Sequence, residues 1–152
     1  MMPVEPDFHG AKLVLIHAGR LLTYRRDDRP GLPFRDLWDL PGGGREGTEI
    51  PVDCALRELH EEFGLTLTPS RLTGRPFASR HHPGWQSWLF TGSLTLAEIA
   101  AIRFGSEGQA WRMMPIGDFA SHPRAVPQFR DLVAGLIASR RRSGPADAAP
   151  CP

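Results

Sequence analysis

Cysteine is scarce in this sequence, and so is net charge. The two cysteines, Cys54 and Cys151, are too few for a disulfide framework or for a structural zinc site built mainly from cysteine. Cys54 falls in a helical pattern and Cys151 in a Pro/Ala-rich tail, so reduced thiols and a cytoplasmic setting are expected. Lys and Arg total 18 against 17 Asp and Glu, a formal charge of +1. Such a balance supplies no global field for a nucleic-acid polymer or an anionic membrane, and neither is an expected partner. Phosphate recognition, if present, must be local. Long apolar runs are missing as well. The first one, Leu13–Ile16, is far too short to span a bilayer or to form the core of a signal peptide. Internal repeats and interdomain linkers are also absent. No spacing marks a Ser-His-Asp or Cys-His constellation, and His60 sits in no zinc-protease helix motif.

What is present suits one soluble domain. The chain has 152 residues, 41% apolar and 23% charged, enough to bury a core without staples. Residues 1–142 are expected to form that domain, with 1–10 a loosely ordered arm and 143–152 a disordered tail. Residues 11–17 and 21–25 read as a strand hairpin around Ala18-Gly19-Arg20. Residues 27–34 read as a loop, and 38–40 as a short strand stopped by Pro41 and the glycines Gly42-Gly43-Gly44. Strands are expected over 72–79, 85–94 and 109–116, with a short helix near 95–102 and a turn or short helix over 117–121. A final helix from Pro127 to about Arg140 carries an apolar stripe: Phe129, Leu132, Val133, Leu136 and Ile137.

The clearest helix runs from about Pro51 to Phe63. Proline fits its first turn and Gly64 its end, while Ile50 is a poor N-cap and Thr48 lies early. At 100° per residue Val52, Leu56, Leu59 and Phe63 share a narrow arc. Glu58, Glu61 and Glu62 gather on the other side. Carboxylates at these spacings repel, and a divalent cation such as Mg²⁺ with its preference for oxygen would relieve them. A solvated acidic face is the competing reading of the helix alone. The glycine-rich turn before the helix lets backbone approach a ligand closely. Arg57 stands beside the acidic cluster with a fork able to orient a carboxylate.

The whole segment Gly43–Leu65 resembles the Nudix box: Gly43, Glu49, Arg57-Glu58-Leu59, Glu61-Glu62 and Gly64-Leu65 stand at the family's spacing. The approach Trp38-Asp39-Leu40-Pro41-Gly42-Gly43 also looks like the family's. The resemblance implies an α/β fold, a Nudix-type α/β/α sandwich with a mixed sheet between helices. It implies metal ligands at Glu58, Glu61, Glu62 and the Gly42 carbonyl, with Arg57 orienting carboxylates and Glu49 supporting that arrangement. It further implies hydrolysis of a diphosphate linkage by water attack at phosphorus, with Mg²⁺, or Mn²⁺ in its place, offsetting charge and acidifying water.

The general base is either a box glutamate or a glutamate from a distant loop. Glu107, among glycines before a strand, is the distant candidate; Glu98 is weaker because its neighbours suggest an amphipathic helix. Arg25 and Arg26 are candidates for holding a substrate phosphate, against surface pairing with Asp27 or Asp28. Trp85 and Trp88 are candidates for stacking a nucleobase, against core packing. His81 and His82 read as a polar loop. The expected substrate is a small diphosphate, a nucleoside diphosphate derivative or nucleoside triphosphate; a homodimer is left open. The alternatives are a nucleotide sensor that does not cut, or an isoprenoid-diphosphate isomerase, to which Cys54 is a poor match.

Overall fold

A computed structural model describes residues 7–147 in backbone and residues 7–141 in side chains. The elements in chain order are β1 (Phe8–His17), β2 (Arg20–Arg25), β3 (Trp38–Asp39), β4 (Gly42–Gly44), α1 (Pro51–Phe63), β5 (Thr73–Ala78), β6 (Gln86–Ser93), α2 (Leu96–Ala100), β7 (Ala110–Pro115), α3 (Ile116–Ala120) and α4 (Pro127–Asp147). The strands form one mixed sheet of seven, with β3-β2-β1-β6-β5 as its main path, β4 paired to β1 and β7 to β2. Only the central β1–β6 pair is parallel; the others are antiparallel.

Alternation along β1 and β2 makes this sheet two-sided. Leu13, Leu15, Leu22 and Tyr24 face α1 and pack with Cys54, Ala55, Leu59 and Phe63. Val14 and Leu21 face the other way, into a second core with Met114, Phe119 and Val133. The predicted stripe on α4 covers that second core through Phe129, Leu132, Val133, Leu136 and Ile137. The α/β/α sandwich with a mixed sheet is therefore the observed architecture.

The structure corrects some boundaries. β1 begins at Phe8 rather than Ala11, because Phe8 is buried against α1 and Trp88; residues 1–6 of the expected arm lie outside the described part. Gly42–Gly44 is a strand, not merely a stop. It lies against β1 with Gly10 opposite Gly44 and Ala11 opposite Gly43. A side chain at Gly42 would sit 2.1 Å from the Ala11 carbonyl, and Gly42 has φ 130°, so only glycine allows this approach. The backbone of α4 continues to Asp147, past the expected end at Arg140; residues 148–152 of the expected tail lie outside the described part. α1 spans Pro51–Phe63 and ends on Gly64 in the left-handed region at φ 68°, while Ile50 offers no side-chain cap.

Candidate active site

The box helix is half-embedded, which its 100° spacing does not show. Cys54 and Ala55 are buried beside Leu59 and Phe63, so burial spreads from the apolar arc toward the acidic one. Glu62 is 7% exposed, whereas the Glu61 side chain is 53% exposed and that of Glu58 15%. The three carboxylates are thus graded from interior to solvent.

Each is held by a different device. Glu62 Oε1 accepts from the Gly42 amide at 2.8 Å. Burial pushes its carboxyl up to about 8, with Lys12 and that amide pulling the other way. Glu58 is also raised, by burial first, against the pull of Arg57. Its carboxylate lies where a side chain at Gly43 would have to be, 2.6 Å from the missing Cβ. Gly43 is the space for Glu58.

Arg57 is the hub. Its Nε and Nη2 donate to both oxygens of Glu49 at 3.1 and 2.8 Å. Its Nη1 donates to Glu58 Oε1 and Glu61 Oε2, each at 3.1 Å, and its Nη2 also to the Gly44 carbonyl at 2.8 Å. The hydrogen bonds from Arg57 hold the Glu49 carboxyl down at about 2. Glu49 in turn accepts from the Glu46 amide at 2.8 Å, which closes the loop between β4 and α1.

Glu107 is brought to this place from far along the chain. The Gly105 amide donates to the Glu62 carbonyl at 2.8 Å and the Arg103 amide to that of Phe63 at 2.9 Å. The loop is thereby tied to the end of α1. Glu61, Glu62, Ser106 and Glu107 line one small cleft of about 160 Å³. Glu98, by contrast, closes the capping box of α2 with Thr95 and pairs with Arg71, which accounts for it fully.

Oxygen is the only donor type in this cluster, which suits a hard divalent cation. Among the described residues no group of three or more His, Cys, Asp or Glu side chains stands ready to hold a metal ion, because Arg57 draws Glu58 and Glu61 to itself and Glu62 is turned to Gly42. The donor set fits Mg²⁺ or Mn²⁺. The buried Glu62, and Glu58 seated against Gly43, are the donors that a cation would use.

A larger cleft of about 590 Å³ opens toward α4, joined to the cluster through Lys12, which lines the cleft and acts on Glu62. Its floor holds Lys12, Arg26 and Asp39, and its walls include Phe34, His81 and Phe129. Arg26 is in this cleft, but its charge goes to Asp39 Oδ2 at 3.0 Å, not to Asp27 or Asp28. Arg25 pairs with Asp36 at 2.7 Å and is not among the lining residues. The two tryptophans do not meet the cleft. Trp88 stacks on Phe90 at 6.0 Å and packs on the α1 core, and Trp85 is exposed ahead of β6.

His81 and His82 do reach it. The His81 ring meets Phe34 edge-on at 4.6 Å, and His82 lies 4.3 Å from His9. Burial, then His82 and His81, lower the pKa of His9. Sequence reasoning missed His9, Lys12, Phe34 and Asp39. The odd lysine in the apolar β1 was the one available signal, since an isolated charge inside a buried strand needs a partner.

The NUDIX domain family matches residues 8–136. An RNA pyrophosphohydrolase of Gluconacetobacter diazotrophicus is 36% identical over 78% of this chain and 81% of its own length. One from Brucella ovis is 28% identical over 86% of this chain and 82% of its own. Among solved structures, a MutT protein of Methanosarcina mazei superposes with a TM-score of 0.70 at 18% identity, covering 91% of this chain and 99% of that one. A bifunctional NMN adenylyltransferase/ADP ribose pyrophosphatase of Francisella tularensis, complexed with AMP and a manganese ion, gives 0.67 at 19% identity over 91% of this chain and 43% of that one. These structures share its fold. On the family match and on the residues gathered at α1, this chain belongs to the Nudix hydrolases, enzymes that cut pyrophosphate bonds.

Proposed function

We propose that the chain is a divalent-metal-dependent pyrophosphohydrolase that attacks the 5′-phosphate chain of a nucleotide, with the 5′ end of RNA as its leading substrate. One observation carries the reading: Lys12 links the graded carboxylates of α1 to a cleft of nucleotide size that also holds Arg26. The names of the relatives favour RNA over free nucleotides. A net charge of +1 argues against gripping a long polymer, but a terminal nucleotide needs only local contacts.

Glu58, Glu61, Glu62 and the Gly42 carbonyl would hold Mg²⁺ or Mn²⁺. When bound, the metal supplies charge neutralisation and a more acidic water. Arg57 orients Glu58 and Glu61 and keeps Glu49 ionised. Glu107 stands next to Glu61 and Glu62 and is the group we assign to accept the proton of the attacking water. Lys12 and Arg26 face the phosphates from the cleft floor, and Phe34 and His81 offer faces to a base. Trp85 and Trp88 have no part in this arrangement.

The test is a panel of 5′-triphosphorylated RNA, nucleoside triphosphates, ADP-ribose and dinucleoside polyphosphates, with products identified by mass. Release of pyrophosphate or phosphate from RNA, dependent on added Mg²⁺, is expected. Glu61→Gln and Glu62→Gln should each cut turnover by about 10²-fold or more while the fold persists. Parent-like turnover in both variants overturns the metal assignment, and turnover of free nucleotides alone overturns the RNA reading.

A further inference from the structure

Lys12 is the anomaly of the interior. It projects from a strand whose neighbours Ala11, Leu13, Val14 and Leu15 are fully buried, and its own side chain is 12% exposed. The ammonium donates to Asp39 Oδ2 at 3.1 Å, to the Leu40 carbonyl at 3.2 Å and to the Gly42 carbonyl at 3.4 Å. An ammonium has three protons, so all three are in use. The longest contact is to the carbonyl that the proposed metal would take.

Two cations share a single carboxylate oxygen at this spot. Asp39 is the only carboxylate lining the larger cleft, and it serves two cations, Lys12 and Arg26, on the same oxygen. It is fully committed, since it also accepts from Tyr24 Oη at 3.2 Å and from the Leu40 amide at 2.7 Å. Lys12 therefore shares its one cleft carboxylate with Arg26, and it also acts on the buried Glu62 behind it.

We propose, resting on the metal-dependent reading above, that Lys12 is a positioning residue with two stations. Its ammonium reaches the Gly42 carbonyl as an internal cation. When a divalent ion claims that carbonyl, Lys12 keeps Asp39 and Leu40, and its third proton turns to a phosphate oxygen of the substrate. The residue thus makes metal binding and phosphate binding depend on each other. It raises the cost of loading metal alone and lowers the cost of loading metal together with substrate.

Opposite effects on two ligands separate this role from a structural one. Mn²⁺ binding is measured by calorimetry at pH 8.5 without nucleotide, for the parent and for Lys12→Met, which keeps the stem. Without the competing ammonium the variant should bind Mn²⁺ about five- to tenfold more tightly. At saturating Mn²⁺, the same variant should bind an α,β-methylene nucleoside triphosphate about tenfold more weakly. Lys12→Arg should recover part of the nucleotide affinity.

Unchanged or weaker Mn²⁺ binding in Lys12→Met overturns the proposal, as does unchanged nucleotide binding. Failure of the parent itself to bind Mn²⁺ overturns instead the metal reading on which the proposal stands. Asp39 keeps Arg26, Tyr24 and Leu40 in the variant, so the fold should hold. If it does not, Lys12→Met with Asp39→Asn removes the charge pair together, and the same opposed changes are expected.

Discussion

Burial gives three nearly identical carboxylates different work. Glu62 bears the largest electrostatic cost, because its carboxyl is interior and its pKa is pushed from 4.5 up to about 8. A carboxyl with a raised pKa takes up a proton on folding between those two values. Its unfavourable contribution is absent below the unfolded value and grows as pH rises through the window. Without metal, melting temperature should therefore fall between pH 5 and 8 more steeply in the parent than in Glu62→Gln. The difference at pH 8 should be of the order of a few kcal/mol. Melts in EDTA across that range check it, and parallel curves for the two proteins would refute it. Added Mg²⁺ should stabilise the parent more at pH 8 than at pH 5.5, since a cation favours the ionised form. Glu49 shows the reverse case, held down at about 2 by Arg57, so its pairing is lost only in strong acid.

Among the elements, α1 decides the site, and its two ends are built unequally. The start has no side-chain cap, while the end relies on Gly64 in the left-handed region. A Cβ at Gly64 would also come within 3.3 Å of the Arg103 side chain. Gly64→Ala should then cost about 1–2 kcal/mol, measurable by urea denaturation. Because the 103–107 loop hangs from the same turn, the variant should also lose activity beyond its stability loss. A change below about 0.3 kcal/mol would show that the αL cap contributes little. The helix length and its glycine stop were legible from sequence because both are local. The strand at Gly42–Gly44 was not, since three glycines carry no periodicity and pair only where β1 offers Gly10 and Ala11. The 10-residue β1 was underestimated for a similar reason: Phe8 earns its place through contacts with α1 and Trp88, distant in the chain.

The molecule as a whole is two cores sharing one sheet. Leu13 serves the α1 side and Leu21 the α4 side, and both are fully buried. Leu13→Ala and Leu21→Ala should each cost about 2–5 kcal/mol and lower one common transition, because each core needs the sheet that the other stabilises. Two separable transitions in calorimetry would contradict this. The shared sheet also places the chemistry. α1 on one side carries the glutamates, and the cleft opens toward α4 on the other, with Lys12, Asp39 and Gly42 at the junction. No helix of the described residues is long and apolar enough to cross a membrane.

The sequence by itself determined the family, the box helix with its three glutamates, and Arg57 as their organiser, because these depend on spacing within one or two turns of helix. Only the tertiary structure decided which glutamate is buried, that Glu107 returns to the cluster while Glu98 does not, and that the tryptophans lie away from the cleft that His9, Lys12, Phe34 and His81 line. Those outcomes depend on strand register and on loops tied across the sheet. Contacts between residues far apart in the chain leave no periodic trace in one sequence, whereas helical spacing does.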